Sequence, residues 1–335
     1  MERVLDSLAA GGRISIEVVP PARGGDLDEI MAAVGLLMPY APAFVSVTDH
    51  PAGRAWVDSS GGPSRVALRT KPGTLGTAVA IREEFRVQTV PHLVAEGADR
   101  LAMEDLLIDL HYAGFRDLFV VRGDERYAPP ALRSKKAGGA AGGAASGAAG
   151  PGPEGEGYPH AIDLVSHVMS LNAGRYTPPS EGKPTAFSVG VAGYPQKHFE
   201  APNFESDVSR LAEKLRSGAS FVVTQMVFEA RHYAALVRAL GDKGMCVPVV
   251  PGIKPILRAS SLASIPRTFF LDLPQGLVDA LSEARSPAEE RTAGIAWAVR
   301  LGRELLDAGA PCLHFFTMGS GAATKAVLEG LYGTK

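Results

Sequence analysis

The stretch Arg13-Ile14-Ser15-Ile16-Glu17-Val18-Val19-Pro20-Pro21 sets a carboxylate inside a β-branched run that stops at a double proline. Alternation along an extended chain puts Ile14, Ile16 and Val18 on one face and Ser15, Glu17 and Val19 on the other, so both faces are largely apolar. A strand apolar on both faces belongs to a covered parallel sheet, and an acid near its C-terminal end lies where such sheets place their chemistry. Desolvation there is expected to raise the carboxyl pKa and keep a proton on it near neutrality, which makes Glu17 a candidate general acid. A salt bridge to an arginine such as Arg13 is the competing explanation.

Outward from this strand, short apolar runs alternate with amphipathic segments along the whole chain, the pattern of repeated β-α units. Strands are predicted at 13–19, 44–48, 87–94, 118–122, 186–192, 220–225, 246–251 and 312–317, with helical patterns at 26–37, 100–111, 206–215, 230–240 and 287–306. Eight units in 335 residues predict an α/β fold, a closed (β/α)8 TIM barrel filling 1–335 as one catalytic domain. An open doubly wound sheet is the alternative. Segment 137–157 reads AGGAAGGAASGAAGPGPEGEG and has no large apolar side chain to bury. It cannot offset its own ordering entropy, so it is expected to be a flexible Ala/Gly-rich insertion on the C-terminal side of the barrel, a tolerated excursion rather than a lid.

Composition narrows the function. With 46% apolar and 21% charged residues and a net charge of -2, the chain can bury a large core, and no basic run marks a nucleic-acid or anionic-membrane surface. Small molecules are the expected partners. Cys246 and Cys312 each lie in an apolar run, as reduced, buried thiols do. The N-terminal stretch has no signal-peptide pattern and no run approaches 18 apolar residues, so a cytoplasmic protein is expected. No G-x-S-x-G elbow, P-loop, H-E-x-x-H or metal-like spacing occurs, and no metal is implied.

Polar residues gather at the predicted strand ends: Glu17 on the first, Thr48 and Asp49 on the second, His92 on the third, Arg122 and Asp124 on the fourth, Tyr194 and His198 past the fifth, Gln225 on the sixth. In a barrel these ends converge on one mouth. Singly each has a plain reading: His92 a core histidine, Arg122 and Asp124 a local ion pair, Gln225 a strand-end cap. Asp207 and Lys214, seven apart in one helical segment, share a face, which by default is a solvated one. Contact with a phosphate-bearing cofactor is the alternative. Gly319-Ser320-Gly321-Ala322-Ala323-Thr324 looks like a phosphate loop but lacks the third glycine and any later acid, so it reads as a tight turn.

Taken in order, Ser15-Ile16-Glu17 with Pro20-Pro21, Phe44-Val45-Ser46-Val47-Thr48, Pro91-His92-Leu93, Val121-Arg122-Gly123-Asp124, Asp163-Leu164-Val165, Val191-Ala192-Gly193-Tyr194-Pro195 with His198, Thr224-Gln225, Val250-Pro251-Gly252-Ile253 and His314-Phe315-Phe316-Thr317 resemble the methylenetetrahydrofolate reductase family. Each piece is short; the ordered set is specific. The resemblance implies a flavin-dependent barrel that reduces 5,10-methylenetetrahydrofolate to 5-methyltetrahydrofolate with FAD as cofactor and NAD(P)H as donor, in ping-pong fashion. It implies Glu17 as catalytic acid, Asp124 beside flavin and pterin, and Gln225 used by both folate and nicotinamide. Phe316 joins these three on the substrate. Thr48, His92, Arg122, Asp124, Ala192, Tyr194, His198, Asp207 and Lys214 fall at positions that hold FAD, and the unbroken spacing from Asp207 through Lys214 to Gln225 replaces the solvated-face reading. Tyr158 to Asp163 resembles a flavin-contacting stretch.

The chain departs from the family at Asp49-His50-Pro51-Ala52-Gly53-Arg54, where a tyrosine and a glycine-rich turn are usual, and after the last strand, where the usual aromatic and leucine-asparagine become Phe316, Met318 and Gly319. Both lie where donor or folate approaches. Two other readings therefore stand beside the main one, a flavin-free barrel passing hydride directly and a folate-binding or electron-relay subunit that needs a partner protein. Oligomeric state and the choice between NADH and NADPH stay open, and the regulation of the longer eukaryotic members is not expected.

Overall fold

β-Branched residues fill the outward faces of the strands and a mixed set fills the inward ones, and this division builds the molecule. The computed structural model describes residues 3–50, 53–59, 62–123, 157–177, 180–317 and 321–335, with backbone alone for 53–59 and 62–68. Eight strands form the barrel: β1 (Ile14–Val18), β2 (Val45–Val47), β3 (Thr89–Val94), β4 (Asp117–Val121), β5 (Ser188–Gly193), β6 (Ala219–Met226), β7 (Val249–Ile253) and β8 (Leu313–Phe316). Each pairs in parallel with the next, and β8 closes on β1 with Glu17 level with Phe316. All eight predicted strands are present, and the closed barrel, not the open sheet, is the fold.

A helix follows each strand, at Asp28–Leu37, Thr74–Phe85, Arg100–Tyr112, Ala161–Asn172, Phe204–Arg216, Ala230–Asp242, Pro287–Asp307 and Gly321–Tyr332. Ile14, Ile16, Val18, Val45, Val47, Val120, Val191, Val222 and Ile253 point at this helical layer and form the larger core. Inside the barrel, Phe44, Val90, Phe119, Phe221, Val223, Val250 and Cys312 make a second core, plugged from the N-terminal end by Val4 and Leu8 of the short helix Val4–Ala9. The apolar floor leaves the opposite mouth for polar groups.

That floor has a charged exception. Asp117, fully buried at the start of β4, accepts from Gln88 Nε2 at 2.7 Å and from the Val4 amide at 3.4 Å, while its Oδ1 has no partner among the described residues. Burial pushes its pKa up to about 6, against the lowering effect of these donors and of Arg3. Ionising it therefore destabilises the fold, with no effect below about pH 4 and the full effect above about pH 6. Asp117→Asn is expected to stabilise by about 1–3 kcal/mol above pH 6 and by little at pH 4. Thermal melts at pH 4 and pH 8 check this; equal destabilisation at both would refute it.

Other expectations change. Cys312 is buried but Cys246 is exposed, because β7 starts at Val249 and Cys246 lies on the approach to it. An antiparallel hairpin of Gly53–Ser59 and Gly62–Leu68 follows β2, in a stretch without clean alternation, and was not expected. Helices Ser261–Phe269 and Gln275–Ser282 insert after β7 over a small apolar cluster with Phe228 and Ile256. Asp124, residues 137–156 of the Ala/Gly-rich segment, Pro51, Ala52, Met318 and Gly319 lie outside the described residues. Among the described residues, no helix is long and apolar enough to cross a membrane, and no His, Cys, Asp or Glu group could hold a metal.

Candidate active site

Parity along β1 carries Ser15 and Glu17 into the barrel, and parity along β8 carries Cys312, His314 and Phe316 to meet them. Glu17 Oε2 stands 3.7 Å from Nε2 of His92 and 3.8 Å from Nε2 of His314, with the carboxylate side chain 15% exposed. Both contacts are longer than hydrogen bonds. The other ring nitrogen of His314, Nδ1, lies 2.9 Å from Ser15 Oγ, which Cys312 Sγ approaches at 3.7 Å. A polar column thus rises from the barrel interior to Glu17. Phe44 stacks on His314, Phe316 meets it edge-on, and Phe119 packs on His92, so the imidazoles are held in place.

Burial pushes the Glu17 pKa up, but His314, His92 and His50 around it bring it below the ordinary carboxylate range. The expectation of a carboxyl kept protonated near neutrality is therefore corrected. Three imidazoles converge on this acid, and the sequence pattern showed only its apolar neighbours. Arg13 is not its partner; its guanidinium lies over the Tyr332 ring at 5.5 Å. Burial lowers His92 to about 4, with Glu17 opposing and the other imidazoles adding to the shift, so His92 is neutral at pH 7. Thr48 joins the group through His50, whose Nε2 is 3.1 Å from Thr48 Oγ1.

A second cluster forms at the ends of β4 and β5. Gly123, at φ 104°, turns the chain just past Arg122, and a Cβ there would lie 2.6 Å from Val94. Arg122 makes a two-pronged ion pair with Glu200, at 2.5 and 2.8 Å. His198 packs edge-on against Tyr194, and its backbone N–H donates to Asp207 at 3.0 Å, so the helix Phe204–Arg216 anchors the loop that follows β5. Lys214, one face along from Asp207, donates to the Ala192 carbonyl at 3.0 Å. Its ammonium is enclosed, and burial lowers its pKa to about 8 against the pull of Asp207. A solvated helix face does not describe it.

The predicted residues therefore divide. Glu17, His92, Thr48 and Phe316 form one cluster, and Arg122, Tyr194, His198, Ala192, Asp207 and Lys214 form the other. Gln225 sits where the β6 register slips between Val223 and Met226, and its Oε1 accepts from the Met226 amide. Tyr158 is buried against the helical layer and bonded to His167, with the Arg100 guanidinium 5.0 Å over its ring. His314, Ser15 and Glu200 were not selected from the sequence. His314 had a signal, an inward position two residues before Phe316; Glu200 had only its closeness to His198.

The methylenetetrahydrofolate reductase family model matches residues 3–332. The chain belongs to this family. The 5,10-methylenetetrahydrofolate reductase of Pectobacterium carotovorum is 24% identical over 324 residues, 95% of this chain and 89% of that one. The probable methylenetetrahydrofolate reductase (NADPH) of Caenorhabditis elegans is 35% identical over 147 residues, 43% of this chain and 22% of that one. Methylenetetrahydrofolate reductase 1 of Schizosaccharomyces pombe is 26% identical over 277 residues, 82% and 40% of the two. This member of the reductase family thus spans less than half the length of these eukaryotic relatives. A solved structure from Clostridium thermocellum, an uncharacterized protein that binds two copies of 5-methyl-5,6,7,8-tetrahydrofolic acid, shares the fold at a TM-score of 0.59 and 9% identity, over 98% of both chains.

Lys214 also tests whether this reductase-family barrel suits a phosphate-bearing group. An ammonium has three N–H donors, and among the described residues only the Ala192 carbonyl takes one. An enclosed cation with spare donors fits an anionic, hydroxyl-rich ligand.

Proposed function

We propose that this chain reduces 5,10-methylenetetrahydrofolate to 5-methyltetrahydrofolate, with bound FAD and NAD(P)H as the electron source. The observation that carries this reading is the enclosed Glu17 between His92 and His314, on the same barrel mouth as the cations Arg122 and Lys214 and the imidazole of His198. FAD supplies hydride transfer when bound. Lys214, His198 and Arg122 are suited to its phosphates and ribose, with Asp207 fixing the loop that carries His198. Arg122 then exchanges its Glu200 partner for the ligand.

Glu17 provides the proton. Opening the five-membered ring of the folate requires protonation of a bridging nitrogen, and a carboxylic acid placed against it does this. In the open site Glu17 is ionised. A planar ligand over it excludes water and strengthens desolvation, the influence that already pushes its pKa up, so binding itself draws a proton onto the carboxyl. Neutral His92 and the Ser15-bound His314 flank the carboxyl. Donor and folate using one mouth in turn gives ping-pong kinetics.

The test is an absorbance spectrum of the purified chain followed by anaerobic half-reactions. Flavin absorbance that NAD(P)H bleaches and methylenetetrahydrofolate restores is the expected result. A colourless protein that still turns over would favour direct hydride transfer, and a yellow protein inert to NAD(P)H would favour a subunit awaiting a partner.

A further inference from the structure

Lys254 is the residue after the end of β7, and the proposed reaction gives it no role. Val249 and Ile253 of that strand face the helical layer, while Val250 lies in the barrel interior. Gly252 faces the ring of Phe316, since a Cβ on it would lie 2.5 Å from that ring and 2.5 Å from the Thr224 carbonyl oxygen. Alternation therefore gives Lys254 the inward face, at the mouth, between the strand of Gln225 and the strand of His314 and Phe316. It is half-buried, and among the described residues its ammonium has neither a hydrogen bond nor an ion pair.

Several other cations described at this end of the barrel do have acceptors. Lys71 donates to Pro20 O, Arg69 meets Asp49, Arg122 meets Glu200, Lys197 donates to Ala201 O and Lys214 to Ala192 O. Beside Lys254 lies an apolar crevice lined by Phe228, Leu277 and Trp297, which offers no anion. A partly desolvated ammonium left unpaired is costly, and the cost is recovered when an oxyanion arrives. Arg122, His198 and Lys214, the groups suited to FAD, stand across the mouth, just past β4, just past β5 and on the helix after β5. Lys254 stands on the side left for the ligand that comes and goes.

Building on the proposed function, we infer that Lys254 is the docking cation for an oxyanion of the exchanging ligand, a carboxylate of the folate or a phosphate of the nicotinamide dinucleotide. Lys254→Met and Lys254→Arg, compared with the unaltered protein, test it. In the methionine variant the KM for the ligand that bears the oxyanion is expected to rise about tenfold with kcat within about twofold, and arginine should restore most of the loss. FAD content should be unchanged. Calorimetric binding of 5-methyltetrahydrofolate and of the oxidised dinucleotide identifies the source: weakened folate binding assigns the carboxylate, weakened dinucleotide binding the phosphate. Unchanged affinity for both overturns the inference while leaving the reductase reading intact. An unaltered protein that binds neither ligand overturns both.

Discussion

Glu17→Gln is expected to keep FAD and its reduction by NAD(P)H while methylenetetrahydrofolate turnover falls about 10²–10⁴-fold, the range of a lost general acid. Glutamine matches the side chain in shape and still reaches His92 and His314, but it has no acidic proton to give. Reduction of menadione by NAD(P)H through the same protein separates the two halves, since it needs no proton on a folate nitrogen. The readout is folate turnover against menadione turnover in one preparation. Folate turnover within tenfold of the unaltered protein would remove Glu17 from the chemistry.

Lys214→Met should strip the flavin yet strengthen the empty protein. Charge-assisted hydrogen bonds are worth about 1.5–3 kcal/mol, so FAD should bind roughly 10- to 150-fold more weakly. The stability effect runs the other way. Burial lowers the Lys214 pKa from its usual 10.5 to about 8, so the charged form is penalised in the fold, fully below about pH 8 and not at all above about pH 10.5. Removing the charge should stabilise the apoprotein by about 1–3 kcal/mol at pH 7, with the gain fading as pH rises past 8. Flavin titration and melts of the flavin-free protein at pH 7 and 10 check both signs. Unchanged flavin affinity would place Lys214 outside the site. A destabilised apoprotein would show that its bond to Ala192 outweighs the buried charge.

These two residues also show how far the sequence reaches. Glu17 was legible because a lone acid in a β-branched run is rare enough to stand out, and the period of two fixed the strand face. Lys214 was not legible from its helix alone. A lysine seven residues from an aspartate describes many solvated helices, and only the resemblance to a family, through the spacing to Gln225, lifted it from that background. Its enclosure comes from the packing of that helix on the end of β5.

The order of apolar and amphipathic segments by itself determined the eight strands, their parallel pairing and the mouth on which the polar strand ends converge, since these follow from local alternation and from the need to cover both faces of each strand. The tertiary structure alone decided who meets whom. His314 is 297 residues from Glu17 in sequence yet 3.8 Å away in space, and Glu200 takes Arg122 across 78 residues. Electrostatics followed those encounters: convergence of imidazoles reversed the shift expected for Glu17, and an unpaired position at the mouth singled out Lys254. Charge interactions depend on distance and desolvation after folding, and neither is written in the period of a strand.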